Sequence, residues 1–345
     1  MIQEARSTLP GGSSPTLPRH LRPELGGIGF GGAAIGNLYT EVDDDVAEAA
    51  VRFAYEQGIR YFDTAPLYGY GLSEERLGKA LAGLADKKLR ISTKVGRHIS
   101  EAGGDQQADD GFAVPGRCAR FDYSRDGVLR SFESSLRRLR GQAVDTLLVH
   151  DVGRETHGER HDVVLRQVLD EALPTLCELR RTGACRAIGI GVNEIEVCLE
   201  LLARADLDVI LLAGRYTLLE NAAALDLLAE AGRHGVEVII GGPYNSGLLA
   251  GADRPGATYN YRAAEAPVLA RAQRIYEVCA AYGVDVGAAA LQFPLAHPAV
   301  KFVIIGMRTT DEVRMAVERI LTGIPPTLWA ALRVAGLIHP AALTP

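Results

Sequence analysis

Four side chains in this 345-residue sequence are of the types a proton-transfer site needs: Asp63, Tyr68, Lys94 and His150. Asp63 and Tyr68 share the stretch DTAPLYGYGLSEERLG, Lys94 closes the apolar run in ISTKVG, and His150 closes the run in LLVHD. A phenol is a weak acid near neutral pH and needs help to move a proton. An ammonium beside it favours its ionised form, a carboxylate can hold that ammonium, and an imidazole can orient a substrate oxygen. Taken singly, each has an ordinary use. Asp63 caps a turn, Tyr68 packs in one, Lys94 reaches for solvent, and His150 with Asp151 forms a polar pair at a strand terminus. Their joint placement is what sets them apart.

That placement follows from the elements around them. Short apolar runs alternate with helix-period segments, the βαβα rhythm of a parallel sheet. The strands are a glycine-rich opening at 28–33, then IRYFD, LRISTK, VDTLLVH, RAIGIGV, DVILLA, VEVIIGG and KFVIIG. Helix patterns follow them over about 43–57, 74–82, 126–139, 163–181, 194–204, 222–233, 264–282 and 311–320. Three acids favour the start of the first helix and Gly58 its end; Ser73 is the expected N-cap of the second. Eight strands, each followed by a helix, with no break in composition, predict a single (β/α)8 TIM barrel over 23–345 behind a flexible arm at 1–22. An extra helix and tail are expected over 324–345, and the polar stretch 96–124 reads as a long lid or binding loop. Barrel enzymes work where strands end and loops begin. Those positions hold Asp63, Lys94, His150 with Asp151, Asn193, Tyr216, then 241–248 and 306–310.

Other chemistries find less support. The 37 basic and 43 acidic residues are dispersed and give a net charge of −6, with no basic stripe for nucleic acid. No apolar run has the length of a membrane span and the N-terminus lacks a signal-peptide pattern, so no membrane partner and a cytoplasmic location are expected. The five cysteines are scattered without metal-ligand spacing, and no metal is expected. GIGFGG at 27–32 matches a dinucleotide fingerprint but lacks the strand before it and the immediate helix after it. Its glycines read instead as sites of close backbone approach. His157 and His161 have a helical metal-ligand spacing in a charged setting that reads as a solvated face, and Cys118 reads as a plain thiol. The sequence carries no signal of oligomeric state.

The segments quoted above, with GVN and IIGMRTTDEV, resemble the aldo-keto reductases over about 25–321. The resemblance implies a barrel that binds an extended nicotinamide dinucleotide, with Tyr68 as general acid/base. Lys94 and Asp63 would lower its pKa and His150 would orient the reacting oxygen. Asn193 would bind the nicotinamide carboxamide and Tyr216 would stack on the ring. Gly242, Pro243, Asn245, Ser246, Gly247 and Leu248 would lie along the pyrophosphate, with Gly306, Arg308 and Thr309 near the adenosine ribose. Many NADPH-specific relatives carry Lys and Arg where Gly306 and Glu312 stand here. A carboxylate repels a 2′-phosphate and accepts from a 2′-hydroxyl, which favours NAD, while Arg308 leaves NADP open.

Closer likeness to one branch lies in GIGFGGAAIGNLY, FDYSRDGVLRSFESSLRRL, LLAGRYTLLE and GGPYNSGLLAG. It implies oxidation of the anomeric hydroxyl of an aldopyranose, of L-fucose or D-threo-aldose type, to a lactone, or pyridoxal 4-dehydrogenase activity on a similar hemiacetal. Tyr39, Leu67 and Trp329, with the 96–124 loop, would shape the pocket for this small-molecule sugar or hemiacetal. Val192 before Asn193, and Ala213 where relatives often have Gln, depart from the pattern. Two alternatives stand beside this reading: an NADPH-dependent aldehyde or ketone reductase, and a cofactor-binding regulatory subunit. The second would not need Tyr68 and Lys94 together.

Overall fold

Eight parallel strands close on themselves in the computed structural model, which describes residues 25, 27–101, 111–251, 258–259 and 262–345. The expected arm at 1–22 lies outside the described residues. In chain order the strands are β1 (Ile28–Gly31), β2 (Tyr61–Asp63), β3 (Arg90–Val95), β4 (Arg97–Glu101), β5 (Arg117–Phe121) and β6 (Thr146–His150). They continue with β7 (Ala187–Val192), β8 (Val209–Ala213), β9 (Glu237–Gly241), β10 (Thr258–Tyr259), β11 (Arg262–Ala263) and β12 (Val300–Gly306). The barrel order is β1-β12-β9-β8-β7-β6-β3-β2, closed by pairing of β1 with β2.

The two-residue period of a strand sorts the side chains into two layers. Ile210, Leu212, Val238, Ile240, Val303 and Ile305 point outward and join the large core shared with the helices. Their neighbours Val209, Leu211, Ile239 and Ile304 point inward and, with Tyr61 and Leu148, fill the barrel as a separate small core. The helices present apolar stripes to the outer layer. Asp44–Gln57 buries Ala47, Ala50, Val51 and Ala54, and ends at Gly58, whose φ of 105° is the left-handed conformation a helix terminus asks for. Among the described residues no single helix is long and apolar enough to cross a membrane.

Several sequence expectations need correction. The 96–124 stretch is not loop throughout: β4 and β5 pair antiparallel, Arg97 opposite Phe121, as a hairpin at the barrel mouth, while 102–110 lie outside the described residues. The helix expected over 163–181 is three pieces, His161–Gln167, a π-turn at Val168–Ala172 and Leu173–Arg181. Pro174 explains the break, because it has no N–H to return to the preceding turn. A further helix, Val286–Gln292, and the small β10–β11 hairpin were not anticipated. The C-terminal helix Pro326–Val334 is present, and the tail after it is docked by Asn221, which donates to Leu337 O at 3.0 Å and accepts from His339 N at 2.8 Å.

The SEERLG segment works differently from its sequence reading. Its helix, Leu72–Ala80, is capped by Gly71 at φ 95°, so Ser73 is free to donate to Gly32 O at 2.8 Å and meet Thr64 Oγ1 at 2.8 Å. Glu74, fully buried, takes Arg138 at 2.6 Å and Thr93 at 2.6 Å. Arg76 is the organiser of the loop after β1. It donates to Ile35 O (2.7 Å), Asn37 Oδ1 (2.9 Å) and Val42 O (2.5 Å), and pairs with Asp44 at 2.7 Å. Arg76→Ala orphans buried carbonyls, each costing about 1–3 kcal/mol. Denaturant unfolding of that variant is expected to show a loss of about 2–4 kcal/mol; a change below about 0.5 kcal/mol would contradict the organising role.

Candidate active site at the mouth of the barrel

The inward rows that fill the barrel continue upward into polar residues on three strands: Tyr61 leads to Asp63, Ser92 to Lys94 and Leu148 to His150. Lys94 is 1% exposed, and an unpaired ammonium there would be prohibitively costly. It donates to Asp63 Oδ2 at 2.8 Å, Asp63 Oδ1 at 3.0 Å, Thr64 O at 2.9 Å and the Tyr68 hydroxyl oxygen at 3.1 Å. Ser92 donates to Asp63 Oδ1 at 2.7 Å, so the carboxylate is held from a second side. Room for the lysine stem comes from Gly191 on β7, where a Cβ would lie 3.2 Å from Lys94 Cε.

Tyr68 arrives on a tight turn, with its N–H donating to Ala65 O at 3.1 Å. The glycine beside it is there for close approach rather than looseness. A Cβ on Gly69, whose φ is 61°, would sit 2.4 Å from Gly36 O. The phenol packs 6.0 Å from the Phe112 ring and meets the His150 ring edge-on at 5.9 Å. Tyr70, with φ 50° and 1% exposure, is a packed turn residue.

The electrostatics correct one expectation. The Tyr68 phenol is pushed well above its ordinary value, by burial first and then by the carboxylates of Asp63 and Asp151, with Arg97 opposing. The charge of Lys94 is already spent on Asp63 and does not reverse this. His150 is pushed down to about 3, chiefly by burial, with Asp151 opposing and Lys94 and Arg97 adding to the push. It is therefore a neutral imidazole over the working range of most enzymes. For Asp151, burial acts upward but His150 and Arg97 outweigh it and hold the carboxyl below its ordinary value.

A cleft of about 400 Å³ opens beside Tyr68. Asp63, Tyr68 and Asn193 reach its wall, as do Tyr39, Gly242, Pro243, Asn245, Ser246 and Gly247, and on the far side Gly306, Arg308 and Glu312. Lys94 and His150 do not line it. Five other expected contacts are elsewhere. Tyr216 is fully buried against Phe293 (5.3 Å) and His297 (6.0 Å), its hydroxyl without a partner among the described residues. The chain turns at Gly214, φ 71°, and leaves Leu211, Ala213 and Gly214 as the wall at that strand. Trp329 is buried on the inner face of its helix with Leu328 and Leu332, 6.5 Å from Phe293. Leu248 turns into the core, Leu67 is half-buried off the cleft wall, and Thr309 is used as the N-cap of Thr310–Leu321.

Part of the cleft wall is bare backbone. Gly214 and Gly242 have positive φ and open space where a side chain would stand, so backbone is presented to the cleft there. Arg319, unanticipated from sequence, fixes the segment after β9. It bonds Asp285 at 2.6 Å and Ala250 O at 2.8 Å and lies over the Tyr244 ring at 5.3 Å. Arg308 and Glu312 are tied together, with bonds of 2.7 Å between side chains and 2.6 Å from Arg308 N. His157 and His161 are not a solvated face. His157 Nε2 donates to Asp151 O at 2.8 Å, and His161 is 6% exposed. Among the described residues no group of three His, Cys, Asp or Glu side chains could hold a metal.

A family model described as the aldo/keto reductase family matches residues 27–332. Pyridoxal 4-dehydrogenase of Microbacterium luteolum is 39% identical over 322 residues, covering 90% of this chain and 94% of that protein. D-threo-aldose 1-dehydrogenase of a Pseudomonas species is 36% identical over 317 residues, covering 90% and 94%. Among solved structures, the holo form of an aldo-keto reductase from Bacillus halodurans superposes with a TM-score of 0.69 at 27% identity, covering 91% of this chain and 93% of that one.

The neutral, buried His150 carries a stability signature. Its folded pKa of about 3 lies below the unfolded value of about 6.5. The unfolded chain therefore binds the extra proton as pH falls below about 6.5, and native stability drops. Between pH 7.5 and pH 5 the wild type is expected to lose more unfolding free energy than His150→Gln. Equal losses in urea titrations would contradict the neutral imidazole.

Proposed function

The chain belongs to the aldo/keto reductase family and is an oxidoreductase, and from that premise we propose that it oxidises the anomeric hydroxyl of an aldopyranose, or of a similar cyclic hemiacetal, to a lactone. The observation that carries the reading is the Tyr68 hydroxyl, on the wall of the cleft and 3.1 Å from the buried Lys94 ammonium. A bound nicotinamide dinucleotide would supply the acceptor for the hydride that leaves the anomeric carbon. Asn193, the backbone of 242–247 and the Gly306–Arg308 segment would hold it.

Tyr68 would exchange the proton of the reacting hydroxyl. Lys94, itself fixed by Asp63 and Thr64 O, keeps the phenol oxygen in place and stabilises the phenolate when it forms. The neutral His150, packed edge-on against Tyr68, would orient the reacting oxygen. Tyr68 is only partly exposed, which limits water around it and strengthens these interactions. Support for a hemiacetal substrate comes from the aldose-oxidising and pyridoxal-oxidising relatives. Pyridoxal, which cyclises to a hemiacetal, is the second reading, favoured by the 39% identity to the pyridoxal enzyme.

NAD is the preferred cofactor in this reading. Glu312 lines the cleft and already pairs with Arg308, so a 2′-phosphate would meet a carboxylate and would have to compete with it for the Arg308 guanidinium.

With L-fucose, D-arabinose, L-galactose, L-rhamnose and pyridoxal as a panel, the enzyme is expected to produce NADH faster than NADPH. Tyr68→Phe should reduce the rate about 10²–10⁴-fold with NADH binding retained. The raised phenol adds a sign. Below its pKa the phenolate fraction grows about tenfold per pH unit, so oxidation should climb from pH 7 towards 10 while reduction stays nearly flat. Near-wild-type rates in Tyr68→Phe, or an oxidation rate that falls with pH over that range, would sink the assignment.

A further inference from the structure

Asp151, one residue beyond His150, has a φ of 51°, a region a non-glycine residue enters only when its surroundings impose it. The imposition is visible. Its N–H donates to Gly191 O at 3.0 Å, and its carbonyl accepts from Tyr123 Oη at 2.9 Å and from His157 Nε2 at 2.8 Å. The result is a carboxylate aimed beside His150. Its Oδ2 accepts from Arg97 Nη2 at 2.6 Å and lies 3.5 Å from His150 Nε2. Arg97 is itself set in place, 4.1 Å over the Phe121 ring, with its carbonyl accepting from Ser131 Oγ at 2.9 Å.

Nothing in the proton transfer asks for this pair. A carboxylate near Tyr68 opposes ionisation of the phenol, and Lys94 and Asp63 already hold it. Two buried polar atoms of the same cluster, Arg97 Nε and His150 Nδ1, have no hydrogen-bond partner among the described residues. Leaving each bare costs about 1–3 kcal/mol, and both are sealed from solvent, so a ligand would meet the accessible part of the Asp151–Arg97 pair and not these atoms. The Asp151 side chain keeps 17% of its surface accessible and Arg97 keeps 14%, enough for contact and little enough to exclude bulk water.

We propose that Asp151 and Arg97 form a subsite for the hydroxyl group on the carbon next to the reacting one, making them specificity-determining residues for α-hydroxylated hemiacetals. The proposal rests on the hemiacetal oxidation proposed above. A carboxylate only accepts and a guanidinium only donates, and a hydroxyl does both, so the pair matches a hydroxyl more closely than a carbonyl or an ether. With the anomeric hydroxyl at Tyr68 and His150, the nearest substrate group that can both donate and accept is the hydroxyl on the adjacent carbon, since the ring oxygen only accepts. A site built to bond a hydroxyl rejects the analogue without it far more strongly than an apolar pocket discriminates by size.

The test compares kcat/KM for L-fucose and 2-deoxy-L-fucose, with D-arabinose and 2-deoxy-D-ribose as a second pair and pyridoxal as a third probe. The wild type is expected to prefer the 2-hydroxylated member by about 10²-fold or more. In Asp151→Asn that ratio should collapse to below about fivefold, mostly through loss of activity on the hydroxylated sugar. Asp151→Asn/Arg97→Gln, which removes both charges, should give the same collapse and serves if the single variant fails to fold, as judged by circular dichroism and NADH binding. Equal losses on both members of a pair would show that Asp151 acts on His150 or on the fold, and would overturn the proposal. So would a wild type without preference. Oxidation of pyridoxal but of neither sugar would refute the subsite while leaving hemiacetal oxidation standing. Oxidation of no hemiacetal with NAD or NADP would bring down the hemiacetal reading itself.

Discussion

A buried ammonium is the constraint from which the rest of this site follows. Lys94 can be 1% exposed only because Asp63 gives it both carboxylate oxygens and Thr64 its carbonyl. Losing one partner of such a pair leaves an uncompensated charge and typically costs about 3–5 kcal/mol, so the pairing of β2 with β3 and the turn after Asp63 are not free to drift. The remaining contact of the ammonium, at 3.1 Å, fixes the Tyr68 oxygen. The same pair that stabilises the barrel mouth thus sets the position of the Tyr68 phenol on the cleft wall.

Around that pair the mouth of the barrel divides. On β2, β3 and β6 the uppermost inward residues are Asp63, Lys94 and His150; on β1, β8, β9 and β12 they are Gly31, Ala213, Gly241 and Gly306. The first half carries the chemistry and the second has almost no side chains, and all four of its residues line the cleft. Space for a large cofactor is therefore a property of the strands themselves. The β4–β5 hairpin closes the chemical side, through Arg97 to Asp151 and through Tyr123, just beyond it, to the His150 and Asp151 carbonyls.

What was legible in the sequence was whatever depends on period and position. Eight apolar runs gave the barrel, and the last inward residue of a strand is polar only where something must pay for it, which exposed Asp63, Lys94 and His150. Side-chain direction beyond a strand end is a different matter. The segment after β8 depends on a left-handed turn at Gly214, so Tyr216 faces the core where pattern alone suggested the cleft. Trp329 follows the apolar face of its own helix inward. Ser73 looked like a cap because serine is among the favoured N-cap residues, but Gly71 takes that role and leaves the hydroxyl to join distant segments. Arg97 and His157 were hidden because polar stretches look solvated until pairing across 97–121 brings Phe121 and Asp151 beside them.

The central claim is that the carbon losing hydrogen at Tyr68 is the anomeric carbon of a hemiacetal. Deuterium at that carbon tests it most directly, with L-[1-²H]fucose (or pyridoxal deuterated at its hemiacetal carbon) turned over in the presence of NAD. Hydride transfer from the anomeric carbon puts deuterium in the reduced nicotinamide and gives a lactone as the first product. Deuterium retained in the sugar product, or a reduced cofactor free of label, would contradict it.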